Sequence, residues 1–186
     1  ACDGGSVVVT FTVTDNCDTK TCTATFSVEI APEVVVICPG AETVSGCDSQ
    51  SEIDAAFAAW LNSASVSGGC APILTNDAGS APDACTGGSV TITFIGTDRN
   101  GCDEDRCQAT FTVTAAPSLT LTCPGDRTLP SCSTQSEIDA AFADWKSSVA
   151  YVGGCDPQLS VSNESAPDAC DGGSVVVTFT VTDNCD

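Results

Sequence analysis

The sequence has no histidine, and it sets 5 Lys or Arg residues against 25 Asp or Glu. Without an imidazole no Ser-His-Asp or Cys-His pair can form, which removes the usual routes to an activated nucleophile. The net charge of -20 repels phosphate backbones and anionic bilayers, so nucleic acid and membrane surfaces are disfavoured as partners. Long apolar runs are also missing, and no stretch approaches the roughly 20 residues of a spanning helix. No basic leader precedes an apolar run at residue 1. The chain opens inside a structural unit, so the expectation is that any export signal lies upstream. Aromatics are scarce, with 2 Trp and 1 Tyr, which leaves little for ligand-stacking platforms.

C-x2-C pairs are absent as well, the closest spacing being Cys17 to Cys22, so a structural zinc site is disfavoured. What the chain does have is 14 cysteines. In a reducing compartment they would stand idle. In an oxidising one they are cross-links, which points to a secreted protein. The disulfide candidates are Cys2, Cys17, Cys22, Cys38, Cys47, Cys70, Cys85, Cys102, Cys107, Cys123, Cys132, Cys155, Cys170 and Cys185.

An internal repeat sets the organisation. ACDGGSVVVTFTVTDNCD at residues 1–18 recurs letter for letter at 169–186, and ACTGGSVTITFIGTDRNGCD at 84–103 is a looser copy with two extra residues. Elsewhere the offset is 85: Cys38, Cys47 and Cys70 map to Cys123, Cys132 and Cys155, and Trp60 maps to Trp145. One period carries six cysteines, leaving fifteen pairings open. Short Ala-Pro links at 31–32 and 116–117 mark the seams, because proline stiffens the backbone and cannot extend a ladder internally. Three pieces are expected: the closing hairpin of a truncated repeat (1–31), a complete repeat (33–115), and a repeat lacking its last strand (118–186). Both ends read as cuts through a longer polymer.

Within the repeat, Val7, Val9, Phe11 and Val13 alternate with Val8 and threonines, a period-2 pattern of strong β propensity. Residues 23–30 repeat the alternation beyond a polar turn, which predicts a β-hairpin. Residues 89–97 and 108–114 play the same parts in the middle repeat, and residues 174–182 play the first part in the last. Further strands are expected at 34–38, 73–76, 119–123 and 159–163. One helix interrupts them. Ser49 and Glu52 have capping-box spacing, and Ile53, Phe57, Trp60 and Leu61 share one helical face before Gly68-Gly69 ends the pattern. Ile138, Phe142, Trp145 and Val149 keep that face in the later copy, with Lys146 in place of Leu61. The Trp residues are read as core anchors, with ligand stacking as the alternative. Of the pairings, Cys47 with Cys70 is favoured, because it would pin both ends of the helix. Cys102 with Cys107 could close a hairpin locally. Each loop-closing disulfide would contribute about 2–4 kcal/mol to a module too small to bury much core.

No catalytic constellation is evident, and no enzyme is expected. The double glycines fit neither a P-loop nor a dinucleotide fingerprint, and no catalytic residue or organic cofactor is implied. Paired carboxylates could in principle serve glycoside hydrolysis, but they lie in tight turns. Calcium is the one candidate ion, since Asp15, Asn16 and Asp18, then Asp98, Asn100 and Asp103, then Asp183, Asn184 and Asp186 gather oxygens in turns. The plainer reading of these residues as turn formers is preferred. Asn163-Glu164-Ser165 matches a glycan acceptor sequon.

The stretches CPG at 38–40, CPGD at 123–126, CDSQSEIDAAFAAW at 47–60, CSTQSEIDAAFADW at 132–145, GGC, APDAC and TFTVTDNCD followed by CTATFSV resemble repeats of large secreted surface adhesins of Bacteroidota, including gliding-motility adhesins. The closing hairpin and the opening Cys-Pro are also similar to the hyalin repeat (HYR), an immunoglobulin-like sandwich of extracellular adhesion. The resemblance implies a mainly β fold of tandem immunoglobulin-like (HYR-like) β-sandwich units, each with one inserted short α-helix and about three disulfides. It further implies a Cys38–Cys107 bond, with the partner of Cys123 beyond residue 186. Export and display at the cell surface as a long fibre follow from the same likeness. The leading expectation is therefore a stalk or filament repeat of a secreted adhesin, partnered by neighbouring repeats of its own chain. A carbohydrate- or surface-binding module contacting polysaccharide is one alternative. A self-assembling fibre subunit that meets other copies is the other.

Overall fold

Identical sequence with different surroundings is the main feature of the architecture. The computed structural model describes residues 3–185; Cys2, a disulfide candidate, and Asp186, one of the turn oxygens, lie outside the described residues. The fold is mainly β, with inserted helices and disulfide bridges. The chain forms two compact units that interleave along the sequence. The first holds Ala1–Val44, Gln50–Pro82 and Ser89–Thr112, and the second holds Ser45–Ser49, Asp83–Gly88 and Val113–Asp186.

The first unit opens with β1 (Gly5–Thr14) and β2 (Thr19–Val28), an antiparallel pair in register from Gly5↔Val28 to Thr14↔Thr19. Asp15 shapes the turn, its Oδ1 accepting from the amides of Cys17 (2.8 Å) and Asp18 (2.7 Å). No residue of either strand is buried; Phe26 is 69% and Phe11 56% exposed.

The middle repeat carries β3 (Val35–Ile37), β4 (Glu42–Ser45), α1 (Gln50–Leu61), β5 (Ser65–Ser67), β6 (Ile73–Asn76), β7 (Gly88–Thr97) and β8 (Glu104–Thr114). The order β4-β8-β7-β6 makes a four-stranded sheet, and β3 pairs with β5. Alternation divides the sheet as the pattern predicts. Ile92 and Phe94 on β7, and Ala109 and Phe111 on β8, point inward and are buried. Outward, Ser89–Thr112, Thr91–Thr110 and Thr93–Gln108 bond side chain to side chain across the ladder at 3.0–3.1 Å.

The inner face is covered by α1, whose Ile53, Phe57 and Trp60 are buried. Phe57 meets Phe111 edge-on at 5.1 Å, and Trp60 meets Phe94 at 6.0 Å and Phe111 at 5.5 Å. Trp60 Nε1 donates to the Gly40 carbonyl at 2.7 Å, so the indole is buried without stranding its donor. The β3–β5 ribbon covers the rest: a Cβ on Gly96 would run into Val36 and Val66 side chains.

The last repeat rebuilds part of this. β9 (Thr120–Thr122) pairs with β10 (Ala150–Val152), and β11 (Gln158–Val161) with β12 (Phe179–Thr182), each in the register of β3–β5 and β6–β7. α2 (Gln135–Ser147) has a full capping box, Thr134 accepting from the Glu137 amide while Glu137 accepts from that of Thr134. Yet no residue of α2 is buried, and Ile138, Phe142 and Trp145 are only half-covered. Where a strand was expected over 174–182, only Phe179–Thr182 forms one, and Val176 is 84% exposed. Among the described residues the last repeat has no counterpart of β8; residues 174–177 form no strand, Thr178 meets Ser162 through the Ser162 amide (2.9 Å), and α2 lacks its cover. Lys146, in place of Leu61, lies 4.5 Å over the Phe142 ring, where its stem shields part of that face.

Phe111→Ala is expected to destabilise the first unit by about 3–5 kcal/mol, as removal of a fully buried aromatic does. Trp145→Ala, on a half-open face, should cost clearly less. Denaturant unfolding under oxidising conditions measures both.

Candidate functional site

The loops that carry chemistry are short, and each is shaped by an aspartate or a glycine. In the second unit, Asp83 Oδ1 accepts from the amides of Cys85 and Thr86 at 3.1 Å and from the Thr86 hydroxyl at 2.9 Å. The Ala116 amide donates to the Cys85 carbonyl at 3.0 Å. The Cys47 loop is held through Gly46, whose amide donates to Thr114 Oγ1 at 3.4 Å. A Cβ there would strike the Thr114 and Ala84 carbonyl oxygens, so only glycine allows this approach. Both cysteines are thereby presented beside residues 114–116.

Opposite them stand Cys155 and Cys185, organised by a single carboxylate. Asp183 Oδ2 accepts from the Cys155 amide at 2.7 Å and its Oδ1 from the Cys185 amide at 2.8 Å. The Asn184 amide adds a bond to the Cys155 carbonyl at 3.1 Å. Cys47 bonds to Cys155 and Cys85 to Cys185, with Cα separations of 5.1 and 5.4 Å and sequence separations of 108 and 100. Cys38 bonds to Cys107 within the middle repeat, Cα atoms 5.9 Å apart, across 69 residues. Loops of this length restrict an unfolded chain by about 4–5 kcal/mol each in the chain-entropy treatment.

The Cys38–Cys107 pair is the one that the resemblance implied. The favoured Cys47–Cys70 bond does not form, and the backbone shows why. Gly69 donates to the Pro32 carbonyl at 2.9 Å and Arg99 to the Cys70 carbonyl at 3.2 Å, so Cys70 is held by the entry link and the residues after β7. The Cys47 loop is held instead against Thr114 at the end of β8. The local Cys102–Cys107 closure is also absent, because Cys107 is taken by Cys38, while Cys102 is itself disulfide-bonded. Among the described residues Cys17, Cys22, Cys70, Cys123, Cys132 and Cys170 are free and exposed.

The turn carboxylates considered for calcium are engaged by backbone donors. Asp98, buried at 4% exposure, accepts from the amides of Cys102 (2.9 Å) and Asn100 (2.8 Å). Those bonds, the Cys102 amide first, hold its carboxyl below the usual range. Asp15 is lowered by the Cys17 and Asp18 amides, and Asp83 by the Thr86 amide and hydroxyl. Asp18 accepts from the Thr19 amide at 2.8 Å and pairs with Lys20 in solvent. Asp103 and Asp105 reach across to the amides of Val34 and Val36, at 2.6 and 2.8 Å, and so satisfy the edge of β3. Among the described residues no group of three or more Cys, Asp or Glu side chains could hold a metal ion. An open depression of about 270 Å³ beside residues 30–34 and 102–105 is lined by these same carboxylates.

Trp145 repeats the Trp60 bond, donating to the Gly125 carbonyl at 2.7 Å. Both indoles stack on the phenylalanine of their own helix; Trp60 is buried, whereas Trp145 is half-covered. No helix among the described residues is long and apolar enough to cross a membrane. No family model matches the chain, and no curated protein matches it.

Two outcomes are expected. Asp183→Ala leaves two cysteine amides without their acceptor, about 1–3 kcal/mol for each buried donor. Peptide mapping after oxidative refolding should then show mixed partners for Cys155 and Cys185. Because Asp15, Asp83 and Asp98 titrate below 3.8 in the folded chain, their contribution is complete above that value and is lost as pH falls through the folded value. Thermal midpoints should hold steady down to about pH 5 and drop below about pH 4, with Asp98→Asn flattening the drop.

Proposed function

We propose that this chain is a segment of a secreted stalk or filament, built of tandem immunoglobulin-like sandwich units whose joints are locked covalently. The observation that carries the reading is the pair of bonds Cys47–Cys155 and Cys85–Cys185, which tie loops of residues 33–115 to residues of 118–186. A spacer that must keep its length in moving fluid needs joints that neither slide nor open. Two disulfides that span the Ala116-Pro117 link give that joint three covalent strands. The β3–β5 ribbon laid over Gly96 of the larger sheet supports the sandwich assignment within a unit. Oxidised cysteines support an extracellular site of action at the cell surface, and the acidic surface keeps neighbouring stalks apart. Binding of a target surface then belongs to other parts of such a protein, and the segment supplies reach and protease resistance.

Force spectroscopy of the chain, pulled from its two ends, tests this reading. Under oxidising conditions most of the 186-residue contour should stay hidden behind the bridges and be released only after a reductant is added. Equal extension before and after reduction overturns the proposal, as does loss of thermal stability confined to residues 33–115 on reduction.

A further inference from the structure

The sulfurs of Cys47–Cys155 and Cys85–Cys185 share a chemical setting that Cys38–Cys107 lacks. Cys47 is followed by Asp48 and Cys155 by Asp156, both aspartates exposed. Asp183 Oδ2 adds a carboxylate oxygen 2.7 Å from the Cys155 amide nitrogen. In the other bond, Asp83 Oδ1 holds the Cys85 amide at 3.1 Å and Asp183 Oδ1 the Cys185 amide at 2.8 Å. Basic groups offer little compensation. Arg127 and Lys146, the basic residues of the second unit, are engaged on α2, by Asp144 and over the Phe142 ring. Around the third bond, Ile37 and Pro39 flank Cys38, and Arg106 and Gln108 flank Cys107. Arg106 pairs with Glu104, and the Asp105 carboxylate is turned to the Val36 amide. Charge there is more nearly balanced.

We propose that the aspartates around Cys47–Cys155 and Cys85–Cys185 select, by charge, the thiols that can open these bonds: anionic thiols are turned away and cationic ones admitted. A disulfide opens when a thiolate attacks one sulfur and expels the other as a thiolate. Access sets the direction at the first bond, since Cys47 is exposed and Cys155 is only 2% exposed. The attacking sulfur bonds to Cys47 Sγ, the Cys47–Cys155 bond breaks, and Cys155 leaves with the electron pair and takes up a proton. A second thiolate then attacks the small-molecule sulfur of the mixed disulfide and frees Cys47, so two thiols supply the two electrons and depart as their own disulfide. Adjacent residues stand about 3.8 Å apart at Cα. That is well inside the screening length of about 8 Å at physiological salt, so Asp48 acts on the arriving thiolate whichever way its side chain turns. An anionic thiol, the charge class of glutathione, is depleted there and a cationic one enriched. Asp156 and Asp183 stand beside the leaving thiolate and disfavour that new negative charge. The inference rests on the same two bonds as the stalk reading and adds which reductants they withstand.

The test treats the full oxidised chain with two small monothiols of opposite charge, mercaptoethanesulfonate and cysteamine, at equal thiolate concentration. Alkylation at timed intervals and peptide mapping give the opening rate of each bond in one sample. The overall charge of the chain acts on every bond and cancels against Cys38–Cys107 as the internal reference. At low salt the cysteamine-to-mercaptoethanesulfonate rate ratio should be about tenfold larger at Cys47–Cys155 than at the reference. The two ratios should converge at about 1 M salt, where the screening length falls to about 3 Å. Asp48→Asn combined with Asp156→Asn should narrow the ratio at Cys47–Cys155 and leave the reference unchanged, which also reports an intact middle repeat. Asn preserves the side-chain shape and tolerates the φ of 57° at position 156. Equal ratios at the bonds, a ratio indifferent to salt, or one unmoved by the double substitution would each overturn selection by charge. Those results leave the locked joint standing, whereas equal extension before and after reduction in the pulling experiment removes the stalk reading and leaves the selectivity intact.

Discussion

Covering one face of a short-stranded sheet is the constraint on which the rest of this structure depends. β7 and β8 can bury Ile92, Phe94 and Phe111 only because α1 lays Phe57 and Trp60 across them. The helix in turn is buried only where β8 is present. α1 and α2 begin with the same eight residues, QSEIDAAF, and both Trp residues make the same bond to a glycine carbonyl. Nevertheless the first helix is an anchor of the core and the second lies half in solvent. Local chemistry forms the helix, and the neighbouring strand decides whether it is buried.

The same lesson holds for strands. Residues 1–18 and 169–186 are identical, but the first copy makes a ten-residue strand and the second a four-residue one. β2 accounts for the difference by offering the first copy a complete ladder partner. Intrinsic propensity cannot distinguish the two, because it is the same number in both places. β propensity measures how well a residue fits a paired, half-covered surface, and that surface is supplied from outside the segment.

Much of the architecture was legible for this reason, and some was not. Alternation placed β1, β2, β7 and β8, and the 3.6-residue spacing of Ile53, Phe57 and Trp60 placed α1. β4 and β5 were missed. They are three or four residues long and rich in Ser, with no period to read, and they exist because β8 and β3 offer them edges. The bonds from Cys47 to Cys155 and from Cys85 to Cys185 were equally hidden. Reading one repeat as a closed set of six cysteines led to partners inside it, whereas these cysteines bond one period away. The repeat offset itself held the missing signal: a cysteine pattern that is copied with its spacing can close in register with the next copy as well as with itself.

The aspartates illustrate how the same residues can be read in two ways with opposite electrostatic consequences. A calcium site collects carboxylates so that their negative charges converge on a cation. Here Asp98 and Asp183 instead face backbone N–H groups from cysteine-bearing turns, and Asp103 and Asp105 face those of β3. Peptide amides turned toward one point carry partial positive charge, which suits an anion and opposes a second cation in the same place. Each carboxylate therefore stabilises a particular backbone shape, and at Asp183 that shape sets two sulfurs in position to reach loops of the preceding repeat. The acidic turns and the disulfides they present are in this sense one device, in which charge arranges the chain and sulfur then fixes it.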